Sequence, residues 1–155
     1  MNIFEFAISK ELEGETFYRD MANSVPNREL RSIFGLLADQ ERGHRALLEL
    51  LMHHATQEAL DLPAPEIDVH AVFQTLISTY NFTSRDFNEA DLYRFAHEAE
   101  TESLKLYQNL AKSAESAQER AIFSRMAQEE QIHQGIIEGI LHIQLLTQTQ
   151  NQGSV

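Results

Sequence analysis

The chain contains an internal repeat with a shift of 89 residues. Residues 4–53 align with residues 93–142 without a gap, and 15 of the 50 aligned positions are identical. Each copy has a helical segment with Glu and, seven residues later, Tyr, then a polar break and a second helical segment carrying Ile-Phe, Glu and His. Because a long-period repeat reflects a repeated supersecondary unit, we predict a duplicated helical hairpin.

Caps and helix breakers set the predicted bounds of the helices. The four predicted helices span residues 3–23, 28–59, 88–113 and 116–146. Asn88 is the predicted N-cap of the third, and Ser116 with Glu119 forms a predicted capping box on the fourth. A helix of about 26 residues is about 39 Å long, and residues 60–87 can run that distance. We therefore predict an all-α four-helix bundle over residues 1–147, with a long crossover between helices 2 and 3 and a flexible polar tail over residues 148–155.

Composition excludes several kinds of ligand. The 24 acidic and 12 basic residues give a net charge of −12, which repels nucleic acid and anionic membranes and favours metal ions or cationic partners. Without Cys, the chain has no disulfide, zinc ribbon or iron–sulfur site of its own. The N-terminal stretch is acidic and the apolar runs are too short to span a bilayer, so we expect a soluble, cytoplasmic protein.

Polar side chains fall on the apolar stripes of the predicted helices. Residues three or four positions apart share a helix face, and the 3.6-residue period places these six on the stripes: Glu11, Glu41, His44, Glu100, Glu130 and His133. A buried carboxylate without compensation costs several kcal/mol. We expect no Lys or Arg on the stripes at the same level, whereas two divalent cations would balance four carboxylates. Mixed carboxylate and imidazole ligands suit iron or manganese.

The segments KELEGETFY, ADQERGH, EAETESLKLY and AQEEQIH resemble the rubrerythrin family of the ferritin-like superfamily, over about residues 3–146. The resemblance implies a ferritin-like diiron-carboxylate bundle in which the six stripe residues bind two iron ions, with manganese or zinc as possible substitutes. It also implies that Tyr18 and Tyr107 form hydrogen bonds near the glutamates and take part in catalysis. Members of the family reduce hydrogen peroxide or oxidise ferrous iron, often as dimers, so hydrogen peroxide or dioxygen is the expected substrate and a homodimer the expected assembly.

Two departures from the family pattern bear on the activity. The chain has no rubredoxin domain, so electrons would come from a separate donor protein such as a rubredoxin. Rubrerythrins carry a further carboxylate one turn beyond the Glu of the third helix, and Ser103 occupies that place here. Glu102 could replace it only if a π-bulge inserted an extra residue in the helix.

Other interpretations of the same residues stay open. A single Glu-x-x-His is usually a solvated pair, Tyr18 and Tyr107 could be ordinary core tyrosines, and His97 precedes Glu100 by one turn. We expect surface positions for His53 and His142 and solvated faces for five glutamates: Glu13, Glu15, Glu98, Glu102 and Glu129. A ferritin-like ferroxidase or iron-storage protein and a structural metal-bound bundle are the alternatives to a diiron oxidoreductase.

Overall fold

The computed structural model describes residues 1–54 and 89–152, which form four α-helices and no strand. The helices are α1, Ile3–Ser24; α2, Arg28–His54; α3, Glu89–Ser113; and α4, Ala117–Gln152. The chain divides into two compact units, Met1–Thr83 and Ser84–Val155. We call α1 with α2 hairpin 1 and α3 with α4 hairpin 2. The predicted crossover, the predicted end of the second helix at residue 59 and the Asn88 cap lie outside the described residues.

The turn in hairpin 1 combines an extended residue before Pro26 with a residue that caps α2. Val25 is extended, with φ −75° and ψ 134°, because the residue before a proline is pushed out of the helical region. Asn27 then caps α2, since its side-chain oxygen accepts a hydrogen bond of 2.9 Å from the amide of Leu30. At the other end of α1, Asn2 and Glu5 form a capping box.

Hairpin 2 has the predicted capping box. The Ser116 hydroxyl accepts a hydrogen bond of 3.0 Å from the Glu119 amide, and the Ser116 amide donates one of 3.2 Å to the Glu119 carboxylate. The predicted end of α4 at Leu146 is wrong, because the helix continues to Gln152. Thr and Gln sustain a helix where no Gly or Pro intervenes, and the next glycine is Gly153. The predicted polar tail therefore begins as helix.

Each hairpin buries the apolar stripe that the periodicity predicts. In hairpin 1, Tyr18 stacks on Phe34 across the two helices, with ring centroids 6.2 Å apart and planes 10° apart. The most deeply buried apolar residues of hairpin 1 are Ala7, Tyr18, Met21, Phe34, Leu37, Ala38 and Leu48. Those of hairpin 2 are Ala90, Tyr93, Ala96, Tyr107, Met126 and Ile137. The stripes of the repeat are thus the cores of the hairpins.

The outer faces of the two hairpins differ in charge. In hairpin 1, the Arg19 guanidinium bridges the helices, 2.8 Å from the Asp39 carboxylate and 3.3 Å from that of Glu15. Arg42 lies 3.3 Å from Asp39, and Arg45 lies 3.1 Å from Glu15. The corresponding positions of hairpin 2, 89 residues on, are all uncharged: Leu104, Gln108, Gln128, Gln131 and Gln134. An ion network therefore joins the helices of hairpin 1 only, among these repeat-related positions.

Among residues 1–54 and 89–152, no helix combines the length and the apolar character that crossing a membrane requires.

Candidate metal centre

Hairpin 1 brings three of the six predicted ligands together. Glu11 comes from α1, and Glu41 and His44 come from α2, where their spacing of three residues puts them on one face. The His44 Nδ1 atom lies 3.3 Å from a Glu11 carboxylate oxygen and 4.0 Å from a Glu41 oxygen. All three residues are at least 96% buried. We call this set the hairpin-1 triad.

Hairpin 2 repeats the arrangement with the equivalent residues. Glu100 comes from α3, and Glu130 and His133 come from α4. The His133 Nδ1 atom lies 3.5 Å from a Glu100 oxygen and 3.9 Å from a Glu130 oxygen. Glu130 and His133 are completely buried, and Glu100 exposes only 3% of its surface. We call this set the hairpin-2 triad.

The donor atoms of each triad have the spacing of ligands around one metal ion. Two ligands each about 2.1 Å from an ion are about 3.0 to 3.4 Å apart at ordinary coordination angles, and the shorter nitrogen–oxygen separations here are 3.3 and 3.5 Å. In each triad one ligand atom per residue lies within 4.8 Å of the others. Two carboxylates and one imidazole are donors that iron, manganese and zinc accept, so the residues fit a divalent ion.

The electrostatics of hairpin 1 keep Glu11 ionised. Burial alone raises the pKa of Glu11, but hydrogen bonds with His44 and Glu41 and the positive charges of His44 and Lys10 outweigh it and lower the pKa to about 2. A carboxylate that stays negative in the interior is a prepared ligand for a cation. Glu11 can therefore bind metal over the whole physiological pH range.

Lys10 corrects the expectation that no Lys or Arg lies on the stripes at the level of the predicted ligands. Its side chain is buried, with 7% of its surface exposed, and its charge acts on Glu11. One residue turns a helix by about 100°, so Lys10 is at the edge of the Glu11 stripe, where the periodicity alone did not place it. Lys10 therefore contributes positive charge that acts on the hairpin-1 triad.

Gly14 is a second residue that the sequence did not single out. A Cβ atom at this position would lie 3.4 Å from the Cγ, Cδ and Oε2 atoms of Glu41. The backbone of α1 therefore approaches the Glu41 side chain closely, and a larger residue would press on that carboxylate. The spacing could have indicated this close approach, because Gly14 follows Glu11 by one helical turn on the same face.

Tyr18 and Tyr107 occupy equivalent, fully buried positions in α1 and α3, with 2% and 0% of their surface exposed. Their burial agrees with a core role and with the predicted role beside the glutamates, and the latter stays a prediction. His53 and His142 are exposed, as expected, and His97 is half-buried. The glutamates expected on solvated faces are all at least partly exposed outside the triads: Glu13, Glu15, Glu98, Glu102 and Glu129.

The sequence matches the family model for rubrerythrin over residues 2–141, which is nearly the whole chain. The chain belongs to the rubrerythrin family. The family prediction is therefore confirmed. No curated protein matches the chain significantly.

Two solved structures share the fold of this rubrerythrin-family chain. A candidate ferritin-like diiron-carboxylate protein from Thermotoga maritima has 22% identity and a TM-score of 0.73, covering 92% of this chain and 95% of that one. A hypothetical protein from Pyrococcus furiosus has 20% identity and a TM-score of 0.70, covering 93% of this chain and 89% of that one. The predicted all-α, ferritin-like four-helix fold is confirmed.

The departure at Ser103 from the rubrerythrin pattern persists in the structure. Ser103 is buried, with 6% of its surface exposed, whereas Glu102 is half-exposed and lies 2.8 Å from the Lys105 ammonium group. The helix α3 is regular from Glu89 to Ser113, so no π-bulge turns Glu102 inward. Glu102 therefore does not replace the additional carboxylate.

Proposed function

We propose that this chain is a diiron oxidoreductase that reduces hydrogen peroxide, or dioxygen, at two iron ions held by the hairpin-1 and hairpin-2 triads. The observation that carries the proposal is the matched pair of buried triads, each with two carboxylates and one imidazole at ligand spacing. Membership of the rubrerythrin family and the fold shared with a candidate diiron-carboxylate protein support it.

The charge of the buried residues supports two divalent ions instead of one. Each triad holds two carboxylates, and an uncompensated buried carboxylate costs several kcal/mol. With a single ion, one triad would keep two buried carboxylates without a cation. In hairpin 2 such a pair would have only an imidazole beside it, because every described Lys and Arg of hairpin 2 is exposed. One divalent cation per triad neutralises the pair in each hairpin.

The chemistry divides between the ions and the chain. When bound, two ferrous ions supply the two electrons that, with two protons, convert hydrogen peroxide into two molecules of water. The chain's own part is to hold three donors in each hairpin, which leaves other coordination positions open, and to keep bulk water out through burial of all six residues. Tyr18 and Tyr107 are the proposed groups that orient the carboxylates through hydrogen bonds.

The assembly and partners complete the proposal. We propose a separate protein such as a rubredoxin as the electron donor; the 155 residues themselves include no Cys that could hold a rubredoxin-type iron. A homodimer in the cytoplasm is the expected state, and neither nucleic acid nor a membrane is an expected partner.

The experiment that tests the proposal starts from protein loaded anaerobically with ferrous iron. Stopped-flow absorbance then follows its oxidation by hydrogen peroxide and, separately, by dioxygen. We expect two irons per chain and faster oxidation by peroxide. The variants His44→Ala and His133→Ala should each bind about one iron fewer than the wild type, and the double variant should bind none. The reason is that a site with three donors loses much of its affinity for iron when its imidazole is removed. The exposed His53→Ala variant is the matched control and should load and react normally.

The results also separate the alternatives. Full iron loading in the double histidine variant would contradict the ligand assignment. Faster oxidation by dioxygen, with retention of ferric iron, would identify a ferroxidase. A sedimentation measurement that gives a dimer would exclude storage in a closed shell. Zinc bound with no redox response would identify a structural bundle.

A further inference from the structure

The two triads have the same donors but differ in how far solvent reaches them. The side chains of Glu41 and His44 keep 6% and 5% of their surface exposed. Their counterparts in hairpin 2, Glu130 and His133, are completely buried. The third carboxylate of each triad shows a smaller difference in the opposite sense, 1% exposed in hairpin 1 and 4% in hairpin 2. Solvent therefore reaches the two ligands from α2 but not the equivalent two from α4.

Gly14 lies beside the more accessible carboxylate. A Cβ atom at this half-buried residue would have the Cγ, Cδ and Oε2 atoms of Glu41 as its three nearest neighbours, each 3.4 Å away. The position 89 residues later is Ser103, which is buried. Hairpin 1 thus has no side chain at the place beside its Glu-x-x-His glutamate where hairpin 2 has one.

The contacts that join the helices beside each histidine ligand also differ. In hairpin 2, the half-buried Gln134 amide donates a hydrogen bond of 2.7 Å to the Thr101 hydroxyl and so ties α4 to α3. The equivalent residues of hairpin 1 are Arg45 and Leu12. Leu12 is exposed, and Arg45 lies instead 3.1 Å from the Glu15 carboxylate in a partly exposed ion pair. Ion pairs that solvent reaches contribute little to stability, so this contact parts readily.

The space at Gly14 has the size of one small group. A water or peroxide oxygen that donates a hydrogen bond to the Glu41 Oε2 atom would lie about 2.5 to 3.0 Å from it, so it would occupy nearly the same place as the missing methyl carbon. Hydrogen peroxide is uncharged at neutral pH, and the net charge of −12 does not repel it. A hydroperoxide with a branched carbon group is wider than this space.

We infer that Gly14 is the specificity-determining residue of an opening in hairpin 1, through which hydrogen peroxide reaches the hairpin-1 triad and which excludes branched organic hydroperoxides. The choice of substrate rests on the proposed function. The opening itself is a property of the metal-free chain, so the two can be tested separately.

The first test measures the opening in the metal-free full-length chain. In alkaline deuterium oxide, the C2 proton of a neutral histidine ring exchanges at a rate that depends on solvent access, and mass spectrometry of peptides follows each histidine. We expect His44 to exchange several-fold faster than His133. Gly14→Ala should slow His44 several-fold and leave His133 unchanged. Gly43→Ala is the matched control, because its Cβ would meet nothing within 4 Å on the exposed face of α2, and it should change neither rate.

The reciprocal substitution tests the same opening by gain of access. Ser103→Gly removes the side chain from the equivalent place in hairpin 2, and it should speed the exchange of His133 towards the rate of His44.

The second test compares two oxidants on protein loaded anaerobically with ferrous iron. Stopped-flow absorbance follows its oxidation by hydrogen peroxide and by tert-butyl hydroperoxide. We expect the ratio of the two rates to exceed the ratio for ferrous ions in the same buffer. Gly14→Ala should bind as much iron as the wild type but react several-fold more slowly with hydrogen peroxide, whereas Gly43→Ala should react like the wild type.

The possible results separate the inference from the proposed function. Equal exchange of His44 and His133 in the wild type, or exchange of His44 that Gly14→Ala leaves unchanged, would overturn the opening. A ratio of oxidant rates equal to that of free ferrous ions would overturn the size selection. Both wild-type comparisons hold even if Gly14→Ala does not fold. A chain that binds no iron would overturn the proposed function, and the exchange rates, which need no metal, would still decide whether the opening exists.

Discussion

The Glu11 carboxylate of the hairpin-1 triad is held ionised by its neighbours. Glu11 is buried and yet has a pKa lowered to about 2, because hydrogen bonds with His44 and Glu41 and the charges of His44 and Lys10 outweigh the effect of burial. The same side chains that stabilise the negative charge would share the coordination of a cation. A residue that is costly to bury is thereby made useful as a ligand.

The lowered pKa of Glu11 predicts a specific loss of stability in acid for the metal-free chain. The folded state releases the Glu11 proton near pH 2 and the unfolded state near pH 4.5. Below pH 4.5 the unfolded state therefore binds more protons, and the free energy of unfolding falls as the pH drops from about 4.5 towards 2. Glu11→Gln should have a shallower decline than the wild type in urea denaturation over this range.

The control for the Glu11 experiment is Glu98→Gln, which removes an exposed carboxylate outside the triads and should follow the wild type over the acidic range. Equal slopes of Glu11→Gln and the wild type in that range would contradict the assigned cause of the shift.

At the scale of secondary structure, the helices are delimited by local side-chain chemistry. The caps Asn2, Asn27 and Ser116 each place a side-chain oxygen on an amide that the helix leaves unpaired. Those contacts can be predicted from the sequence because each joins residues three positions apart. The ion network of hairpin 1 is different, since it joins α1 to α2 through Arg19 and Asp39.

The capping box of α4 predicts a measurable cost for its removal. Ser116→Ala deletes the acceptor for the Glu119 amide and should lower the free energy of unfolding by about 1 kcal/mol. Ser32→Ala is the matched control, because the exposed Ser32 hydroxyl only donates to the Arg28 carbonyl inside α2. That variant should stay within about 0.5 kcal/mol of the wild type. An equal effect of the two substitutions would show that the cap contributes nothing.

The ion network predicts a salt-dependent contribution to the stability of hairpin 1. Arg19→Gln copies the Gln108 of hairpin 2 and breaks the contacts with Asp39 and Glu15 together. The variant should have a lower Tm than the wild type in dilute buffer, and the difference should shrink in 1 M sodium chloride, where the Debye length is about 3 Å. Arg125→Gln, which breaks a contact with Glu129 inside one helix, is the control and should change Tm less. A Tm difference that is independent of salt would point to packing instead.

At the scale of the whole molecule, the acidic chain and its two buried triads link metal binding to folding. The six proposed ligands come from four helices, so an unfolded chain would have no preformed site. Under the proposed function, the buried carboxylates destabilise the metal-free fold and bound cations would neutralise them. We therefore expect the metal-free protein to be folded but less stable than the metal-bound protein.

This linkage predicts a rise in Tm on addition of manganese(II) chloride. A ligand at a concentration 100 times its dissociation constant stabilises the folded state by about 2.7 kcal/mol per site. Addition of a chelator should reverse the rise, and the double variant His44→Ala/His133→Ala should show none. The exposed His53→Ala variant should respond like the wild type. A rise of the same size in the double variant would place the bound ion elsewhere.

The helical class, the duplicated hairpin and the inward face of the six candidate ligands could be predicted from the sequence alone. Each follows from a periodicity along one dimension: a shift of 89 residues for the repeat, and the 3.6-residue turn for the faces. The tail of α4 was misjudged, because a run of Thr and Gln residues can continue a helix as readily as end it.

How close the donors lie and which charges surround them could not be predicted without the packed helices. The 3.3 Å separation of His44 and Glu11, the burial of Lys10 and the approach of Gly14 to Glu41 depend on how two helices are rotated and spaced against each other. Helical periodicity leaves that rotation and spacing open, because packing of side chains from both helices sets them. The difference between two triads with identical donors is therefore a property of the packed hairpins.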